Sequence, residues 1–280
     1  MNKIRLHNGI LMPQLGLGTF LVQDGNVAYE TTLHALNVGY RHIDTAQMYQ
    51  NEASIGQAIK DSGIPREEIF ITTKQRGHST KKKMREQFES SLAKLQTSYV
   101  DLYLIHWPNH DKKINQQTWS LFEELYKEGK VKAIGVSNFQ RHHIEDLMET
   151  ATIKPMVNQV ELHPGLSQVP LQAYLTREGI ALESYGPLMK GGVFEGIWAE
   201  GLAKIAEKHQ ATIAQIIIAW GLARQIIMIP KSVTPSRIEE NFNGKDIKLS
   251  EEEILTINAL NRGKRVYTDP DNSPWGPYAE

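Results

Sequence analysis

The sequence contains no cysteine among its 280 residues. This absence excludes a disulfide scaffold, a zinc or iron–sulfur site held by thiolates, and a cysteine nucleophile. It is typical of a reducing compartment, and we expect a cytoplasmic protein. A chain of this length buries most of the surface that its unfolded form exposes, so it needs no covalent or metal cross-link for stability.

An excess of charge of one sign is also missing. The chain has 31 Lys and Arg residues against 32 Asp and Glu residues, which gives a formal net charge of −1. Nucleic-acid-binding domains are normally strongly basic, so we expect no nucleic-acid partner. No stretch approaches the ~18 uncharged apolar residues of a membrane helix, and the first residues lack the apolar core of a signal peptide. We therefore expect a soluble protein with no membrane partner.

A complete dinucleotide-binding fingerprint is absent as well. The nearest match to Gly-x-Gly-x-x-Gly begins with Gly16 and Gly18 but has Leu21 in place of the third glycine. No linker or low-complexity segment divides the chain. The open, doubly wound sheet is therefore disfavoured, and we predict a single domain over residues 1–280.

The sequence does contain a regular alternation of strand-like and helix-like segments. Asn8-Gly9 lies between short alternating apolar pairs, which predicts an N-terminal β-hairpin with a type I′ turn. Eight apolar runs then alternate with longer amphipathic stretches: Gly16–Phe20, Tyr40–Asp44, Ile69–Thr73, Val100–His106, Val131–Val136, Met156–Glu161, Ile180–Tyr185 and Ile226–Ile229. Parallel strands need crossover helices, and eight such units close a barrel. We predict an α/β fold, a (β/α)8 TIM barrel with the hairpin and additional C-terminal helices.

Four titratable side chains lie at the predicted mouth of this barrel. Asp44, Lys74 and His106 lie at the ends of three successive strands, and Tyr49 follows Asp44 just before a predicted helix. Chemistry gathers at the carboxyl ends of barrel strands, so the four residues outline a catalytic site. The pKa of a free tyrosine is ~10; a neighbouring ammonium lowers it, and a carboxylate keeps that ammonium charged. Asp44, Lys74 and Tyr49 could thus tune a proton donor, with neutral His106 orienting a carbonyl oxygen.

Other interpretations of these residues stay open at this point. Taken singly, Asp44 could cap a helix, and His106 and Tyr49 could belong to the packed core. Lys74 could form a Schiff base in a barrel aldolase, because a lysine at a strand end is well placed as an amine nucleophile. We expect no metal site, since only Asp44 and His106 are good ligands and zinc needs at least three from the protein.

Several longer motifs resemble those of the aldo-keto reductase superfamily. They occur in order over nearly the whole chain: Leu15–Thr19, Gly39–Ala46, Tyr49–Glu52, Thr72–Lys74, Leu104–Pro108, Gly135–Phe139, Asn158–Pro164 and Ile229–Asn241. The Pro-rich tail Asp269–Trp275 is similar to that of bacterial 2,5-diketogluconate and methylglyoxal-type reductases. The resemblance implies a (β/α)8 barrel that reduces aldehydes and ketones to alcohols by hydride transfer. It also implies a catalytic tetrad at Asp44, Tyr49, Lys74 and His106, with Tyr49 as general acid.

The resemblance further implies residues that hold NADPH or NADP+. Ser137, Asn138 and Gln159 would bind the nicotinamide carboxamide, and Tyr185 would stack on the ring. A lysine charge and an arginine fork attract a dianionic phosphate, which suits the implied 2′-phosphate contacts. Those contacts are Lys231, Ser232 and Arg237; the other implied cofactor residues are Gly18, Thr19, Gly186, Leu188, Glu240 and Asn241.

The sequence departs from the family pattern directly after Lys74. The family commonly has an apolar residue and a tryptophan there, whereas this chain has Gln75-Arg76-Gly77-His78. The loop borders the implied substrate site, so Arg76 is a candidate contact for a polar or carboxylate-bearing substrate. Trp107 is a candidate apolar wall of the same site.

Two functions of other classes remain as alternatives. Some members of the superfamily are regulatory subunits of potassium channels and bind NADPH mainly as partner proteins. We expect such a subunit to carry an N-terminal extension, which this sequence does not show. The other alternative is a Schiff-base aldolase that uses Lys74 or Lys231. The favoured prediction is a monomeric enzyme acting on a small carbonyl substrate.

Overall fold

The chain begins with a short antiparallel hairpin in the computed structural model, which describes residues 2–274. The hairpin strands are β1 (Lys3–Arg5) and β2 (Leu11–Pro13), as predicted, but the type I′ prediction is wrong. Of the two central turn residues, Gly9 has a positive φ of 92° and Asn8 does not. The Asn8 side-chain oxygen instead accepts the Ile10 N–H. The Gly9 N–H donates to Leu6 C=O, as in a type I turn followed by a left-handed glycine.

Eight parallel strands form the barrel wall. They are β3 (Leu17–Gly18), β4 (His42–Asp44), β5 (Phe70–Gln75), β6 (Val100–Ile105), β7 (Val131–Ser137), β8 (Val157–Glu161), β9 (Ala181–Tyr185) and β10 (Ile227–Met228). Each strand pairs with its neighbour in chain order from β3 to β10. A parallel bridge from Leu15 to Met228 joins the two edges, and the Gly16 N–H donates to Met228 C=O at 2.9 Å. The predicted (β/α)8 barrel is confirmed.

Helices cover the outside of the barrel. They are α1 (Asn26–Val38), α2 (Glu52–Asp61), α3 (Lys81–Lys94), α4 (Lys112–Lys127), α5 (Arg141–Met148), α6 (Val169–Glu178), α7 (Gly196–Lys208), α8 (Ile213–Ala223), α9 (Pro235–Asn243) and α10 (Glu251–Asn258). Both α7 and α8 lie between β9 and β10, while α9 and α10 follow the last strand. These last two are the predicted C-terminal helices. None of the helices within residues 2–274 is both long and apolar enough to cross a membrane.

The helix α3 shows why these segments fold as they do. Thr80 begins the helix because its hydroxyl accepts the Lys83 N–H at 3.3 Å, which satisfies one of the free donors of the first turn. Met84, Phe88 and Leu92 recur every four residues and are all buried against the barrel. Burial of each such side chain contributes about 1.5–3 kcal/mol. The other barrel helices bury apolar side chains in the same way, although several of them have no side-chain cap.

Candidate active site

The four predicted titratable side chains meet at the carboxyl ends of β4, β5 and β6. The Lys74 ammonium nitrogen lies 2.5 Å from Asp44 Oδ1 and 3.3 Å from the Tyr49 hydroxyl. It also donates to Thr45 C=O at 3.0 Å. The rings of Tyr49 and His106 meet edge to face, with centroids 5.6 Å apart. The structure therefore brings all four residues into one cluster.

The loop that carries Tyr49 is fixed by a buried asparagine. A single 3-10 turn containing Tyr49 follows β4, and Asn51 lies just beyond it. The Asn51 amide nitrogen donates to Thr19 C=O and Val22 C=O, both at 3.0 Å, while its oxygen accepts the Thr45 hydroxyl at 2.8 Å. These bonds hold the phenol over the end of β5, where Lys74 emerges.

The environment of the cluster sets the charge of each member. Burial raises the pKa of Tyr49, and the Lys74 ammonium opposes that rise. Burial alone would lower the pKa of Lys74, but the Asp44 carboxylate holds it above its usual value. Burial and Lys74 together place the pKa of His106 well below its usual value. At neutral pH the site thus holds a charged ammonium, a protonated phenol and a neutral imidazole, which is a proton donor beside a hydrogen-bonding partner.

The implied nicotinamide residues form a hydrogen-bonded rim next to the tetrad. The Tyr185 hydroxyl donates to Asn138 Oδ1 at 2.7 Å, and the Asn138 amide nitrogen donates to His106 C=O at 2.9 Å. The Ser137 hydroxyl donates to Gln159 C=O at 2.9 Å. The structure therefore places Ser137, Asn138, Gln159 and Tyr185 together and links them to His106.

The predicted residues on β3 and in its following loop lie on the other side of Asp44. The Thr19 hydroxyl donates to Asp44 C=O at 2.8 Å. A Cβ at Gly18 would come within 2.8 Å of Ile229 C=O, so the closing strands can approach this closely only at a glycine. Gly186, with a φ of 61°, begins the loop after β9, and Leu188 follows it.

Two predicted cations lie away from the tetrad, around the start of α9. Lys231 and Arg237 are exposed, and neither has an ion-pair partner within residues 2–274. Ser232 lies between them in sequence, and its hydroxyl accepts the Thr234 N–H at 3.1 Å. Two uncompensated cations at a helix N-terminus suit an anion such as a phosphate.

The predicted adenine-end residues of α9 differ in their surroundings. The Glu240 carboxylate accepts the Thr212 hydroxyl at 2.7 Å, and its C=O accepts the Gln215 side chain at 3.1 Å. The structure thus directs Glu240 towards the start of α8. Asn241 is buried on the same helix.

The two predicted substrate residues line one small cavity at the barrel mouth. Arg76 and Trp107 border it together with His106, Met48 and His78. The loop is held from beneath by a buried polar network, in which Gln47 accepts the Arg76 N–H at 2.9 Å and Gln75 accepts the Tyr103 hydroxyl at 2.6 Å. Gln75, where the family commonly has an apolar residue, thus holds this loop in place through Tyr103.

Sequence reasoning missed two aromatic residues at the mouth. The ring centroid of Phe20 lies 5.2 Å from that of Tyr49, although the Phe20 side chain is partly exposed. The ring of Tyr267 meets Tyr185 edge to face at 5.2 Å and leaves no room for a side chain at Gly186. Phe20 could have been found from its position at the end of the first strand. No local signal identifies Tyr267, which returns to the mouth from the C-terminal segment.

Three potential metal ligands also cluster outside the tetrad. Among residues 2–274, His142, His143 and Asp271 are the one such group, with their ligand atoms within 4.8 Å of one another. His143 Nδ1 accepts the Gln140 N–H at 3.1 Å, so the proton of the neutral ring resides on Nε2, which faces Asp271. Asp271 Oδ1 lies 3.1 Å from His142 Nε2 and 3.5 Å from His143 Nε2, so the cluster brings the C-terminal turn against α5.

The sequence profile described as the Aldo/keto reductase family matches residues 14–262. The chain belongs to this family. It is 49% identical over 272 residues to the glyoxal reductase of Bacillus subtilis (strain 168), and the alignment covers 96% of each chain. It is 44% identical over 270 residues to the methylglyoxal reductase DkgA of Escherichia coli (strain K12), again with 96% of each chain covered.

A solved structure shows the same architecture. A mutant of the protein Gox0644, crystallised in complex with NADPH, is 37% identical with a TM-score of 0.89, covering 97% of this chain and 98% of that chain. The resemblance that the motifs indicated, to the superfamily and to its methylglyoxal-type bacterial members, is confirmed.

Proposed function

We propose that this protein is an NADPH-dependent reductase of small aldehydes and ketones in which Tyr49 is the general acid. The observation that carries the proposal is the 3.3 Å contact between the buried Lys74 ammonium and the Tyr49 hydroxyl, with Asp44 behind it. Membership of the aldo/keto reductase family supports the reaction class. The glyoxal and methylglyoxal reductases among its relatives support a small carbonyl substrate. The direct test is oxidation of NADPH in the presence of methylglyoxal.

Each member of the tetrad has a separate task in this proposal. Tyr49 gives its proton to the carbonyl oxygen, and the Lys74 ammonium then stabilises the phenolate that remains. A Tyr49 phenolate and the Lys74 ammonium 3.3 Å apart attract by a few kcal/mol at the effective dielectric of a partly buried site. The neutral imidazole of His106 orients the carbonyl oxygen towards the phenol. Asp44 keeps Lys74 charged in spite of its burial.

The cofactor residues fit NADPH by their chemistry. When bound, NADPH supplies the hydride that reduces the carbonyl carbon. Tyr185 offers an aromatic ring at the rim of the tetrad. The amide nitrogens of Asn138 and Gln159 are bound within the site, so it is their side-chain oxygens that can accept N–H groups of the carboxamide. Lys231 and Arg237, which form no ion pair in the described part of the chain, offer the cations that a 2′-phosphate needs. The same residues give no comparable partner to NADH, which lacks that phosphate.

We expect Arg237→Ala to raise KM for NADPH by about tenfold to a hundredfold, because a charge-assisted hydrogen bond contributes about 1.5–3 kcal/mol. KM for NADH should stay within about twofold of the wild-type value, because NADH has no 2′-phosphate for Arg237 to contact. Steady-state kinetics with both cofactors measure the effect. Arg177→Ala, an exposed arginine on α6, is the matched control and should change neither value. Equal losses with NADPH and NADH would contradict the phosphate contact.

We expect Arg76→Ala to raise KM for 2-keto acids by about tenfold, the loss of one exposed charge-assisted contact. KM for methylglyoxal, which has no carboxylate, should remain unchanged. The comparison of kcat/KM for pyruvate and methylglyoxal in the same variant is its own control. A variant that treats both substrates alike would show that Arg76 points to solvent.

The Schiff-base alternative finds little support in the surroundings of Lys74. A lysine nucleophile needs its neutral amine, whereas the Asp44 carboxylate at 2.5 Å holds the pKa of Lys74 above its usual value. Borohydride reduction in the presence of a carbonyl substrate tests this directly. We expect no covalent adduct on Lys74 or Lys231.

A further inference from the structure

A second layer of polar side chains lies directly beneath the tetrad, inside the barrel. Its members are His42, Thr72 and Glu183, all completely buried. His42 and Thr72 precede Asp44 and Lys74 by two positions on their strands, and alternation turns such pairs towards the same face of the sheet. Barrel interiors are normally filled by layers of apolar side chains, so these three polar side chains are unusual at this depth.

The amide of Gln159 connects this layer to the tetrad. Gln159 Nε2 donates to Asp44 Oδ2 at 2.7 Å and to Glu183 Oε2 at 3.0 Å. Lys74 holds the other oxygen of Asp44. Gln159 and Glu183 face each other in the register of β8 and β9, so strand pairing fixes this geometry. One amide nitrogen thus separates Glu183 from the carboxylate that holds Lys74.

The charges in this interior do not balance if both carboxyl groups ionise. The single positive charge of Lys74 is taken by Asp44, and no Lys or Arg in the described part of the chain forms an ion pair with Glu183. His42 Nε2 is 3.7 Å from Glu183 and already contacts the Thr72 hydroxyl at 3.1 Å. An uncompensated buried charge costs several kcal/mol, and one proton removes it.

Burial raises the pKa of Asp44 as well, but its contacts with the Lys74 ammonium at 2.5 Å and with the Gln159 amide oppose that rise, so the proton lies on Glu183. Burial, followed by the charge of Asp44, raises the pKa of Glu183 to about 8. Burial, followed by the charge of Lys74, lowers the pKa of His42 to about 3. At neutral pH the layer therefore contains a neutral acid and a neutral imidazole. The groups that face Glu183 are Asp44 and His42 on β4, Lys74 on β5, Gln159 on β8 and Ile227 on β10.

We propose that Glu183 is a positioning residue for the tetrad: as a neutral acid it fixes the Gln159 amide against Asp44, and its ionisation weakens Tyr49 as a proton donor. This inference deepens the proposed function and rests on it. When Glu183 releases its proton at alkaline pH, the interior holds two negative charges, on Asp44 and Glu183, near the single ammonium of Lys74. The charge of Glu183 raises the pKa of Tyr49, so the phenol holds its proton more firmly.

The first test is the pH profile of kcat/KM for methylglyoxal reduction with Glu183→Gln, which mimics the neutral acid. At pH 7 the variant should stay within about threefold of the wild type. Above about pH 8 the wild type should show an alkaline limb that falls to a lower plateau as Glu183 ionises, whereas the variant should stay level until Tyr49 itself ionises. Glu183→Met, which also lacks an ionisable group, should likewise show no such limb and replaces the glutamine variant if that one fails to fold.

The matched control is Glu52→Gln. Glu52 is also a buried carboxyl whose pKa is raised by burial, but it accepts hydrogen bonds from Thr73 and Ser91, and none of its hydrogen bonds goes to a tetrad residue. This variant should keep the alkaline limb of the wild type. The proposal is overturned if the glutamine and methionine variants of Glu183 keep that limb as well.

The second test needs no cofactor and no substrate. In the unfolded chain Glu183 ionises near its ordinary pKa, while in the folded chain it keeps its proton until about pH 8. Stability from the protonated acid is thus fully present at low pH and is lost as pH rises towards 8. The melting temperature of the wild type should therefore fall relative to Glu183→Gln between pH 5 and 8. If the melting temperatures of the wild type and Glu183→Gln change equally with pH, the buried proton is overturned. An absence of NADPH oxidation in every variant would overturn the proposed function alone.

Discussion

Tyr49→Phe is expected to lower kcat for carbonyl reduction by about a thousandfold or more, near the upper end of what a positioned general acid contributes. The phenyl ring keeps its packing between Phe20 and His106 but has no proton to give. NADPH affinity should stay within about twofold of the wild type, since the hydroxyl is not one of the implied cofactor contacts. Single-turnover NADPH oxidation and cofactor fluorescence measure the two quantities separately.

Tyr29→Phe is the control for this experiment. The Tyr29 hydroxyl contacts Asp61 on the protein surface, so its removal should leave turnover unchanged. A Tyr49→Phe enzyme with nearly normal turnover would contradict the assignment of the proton donor. Loss of NADPH binding together with turnover would instead indicate that the phenol is needed to shape the cofactor site.

Lys74→Met is expected to abolish turnover and to destabilise the fold by about 3–5 kcal/mol, the usual cost of leaving one partner of a buried ion pair uncompensated. Lys74 is completely buried, and within residues 2–274 the Asp44 carboxylate it leaves behind has only Gln159 as a remaining side-chain donor. The melting temperature and denaturant-induced unfolding report the stability.

The double variant Asp44→Asn, Lys74→Met separates structure from catalysis. Because it removes both buried charges, most of the lost stability should return, whereas turnover should not. If Lys74→Met were as stable as the wild type, the loss of Lys74 would not leave an uncompensated buried charge on Asp44. If the double variant recovered turnover, the ammonium would not be required to tune Tyr49.

The barrel and its tetrad could be predicted from the sequence because both depend on spacing. Runs such as Val100–His106 are too short for helices and are separated by enough residues for a crossover helix. Once the strands are parallel, their carboxyl ends share one face, so Asp44, Lys74 and His106 must converge. The contacts in the structure confirm this convergence.

The hydrogen bonds of the interior layer and the C-terminal contacts could not be predicted in this way. Alternation with Asp44 and Tyr185 turns His42 and Glu183 towards the barrel interior, but no signal in the sequence shows that the Gln159 amide joins Glu183 to Asp44. Tyr267 reaches Tyr185 only because the segment after the last helix folds back over the mouth. The hairpin turn was mistaken for a different reason. Asn-Gly permits a type I′ turn, but the Asn8 side chain donates to Lys132 C=O at 3.0 Å, and tertiary contact of this kind overrides local preference.

The most direct test of the account follows deuterium from NADPH labelled at C4 of the nicotinamide into the product of methylglyoxal reduction, measured by mass spectrometry. With each face of C4 labelled in turn, we expect one deuterium on the carbinol carbon for each NADPH consumed from one face and none from the other. We also expect Tyr49→Phe to bind the labelled cofactor without transferring the label. Carbonyl-dependent turnover that leaves the deuterium on the oxidised nicotinamide whichever face of C4 carries it, or a borohydride-trapped adduct on Lys74, would contradict the proposed function.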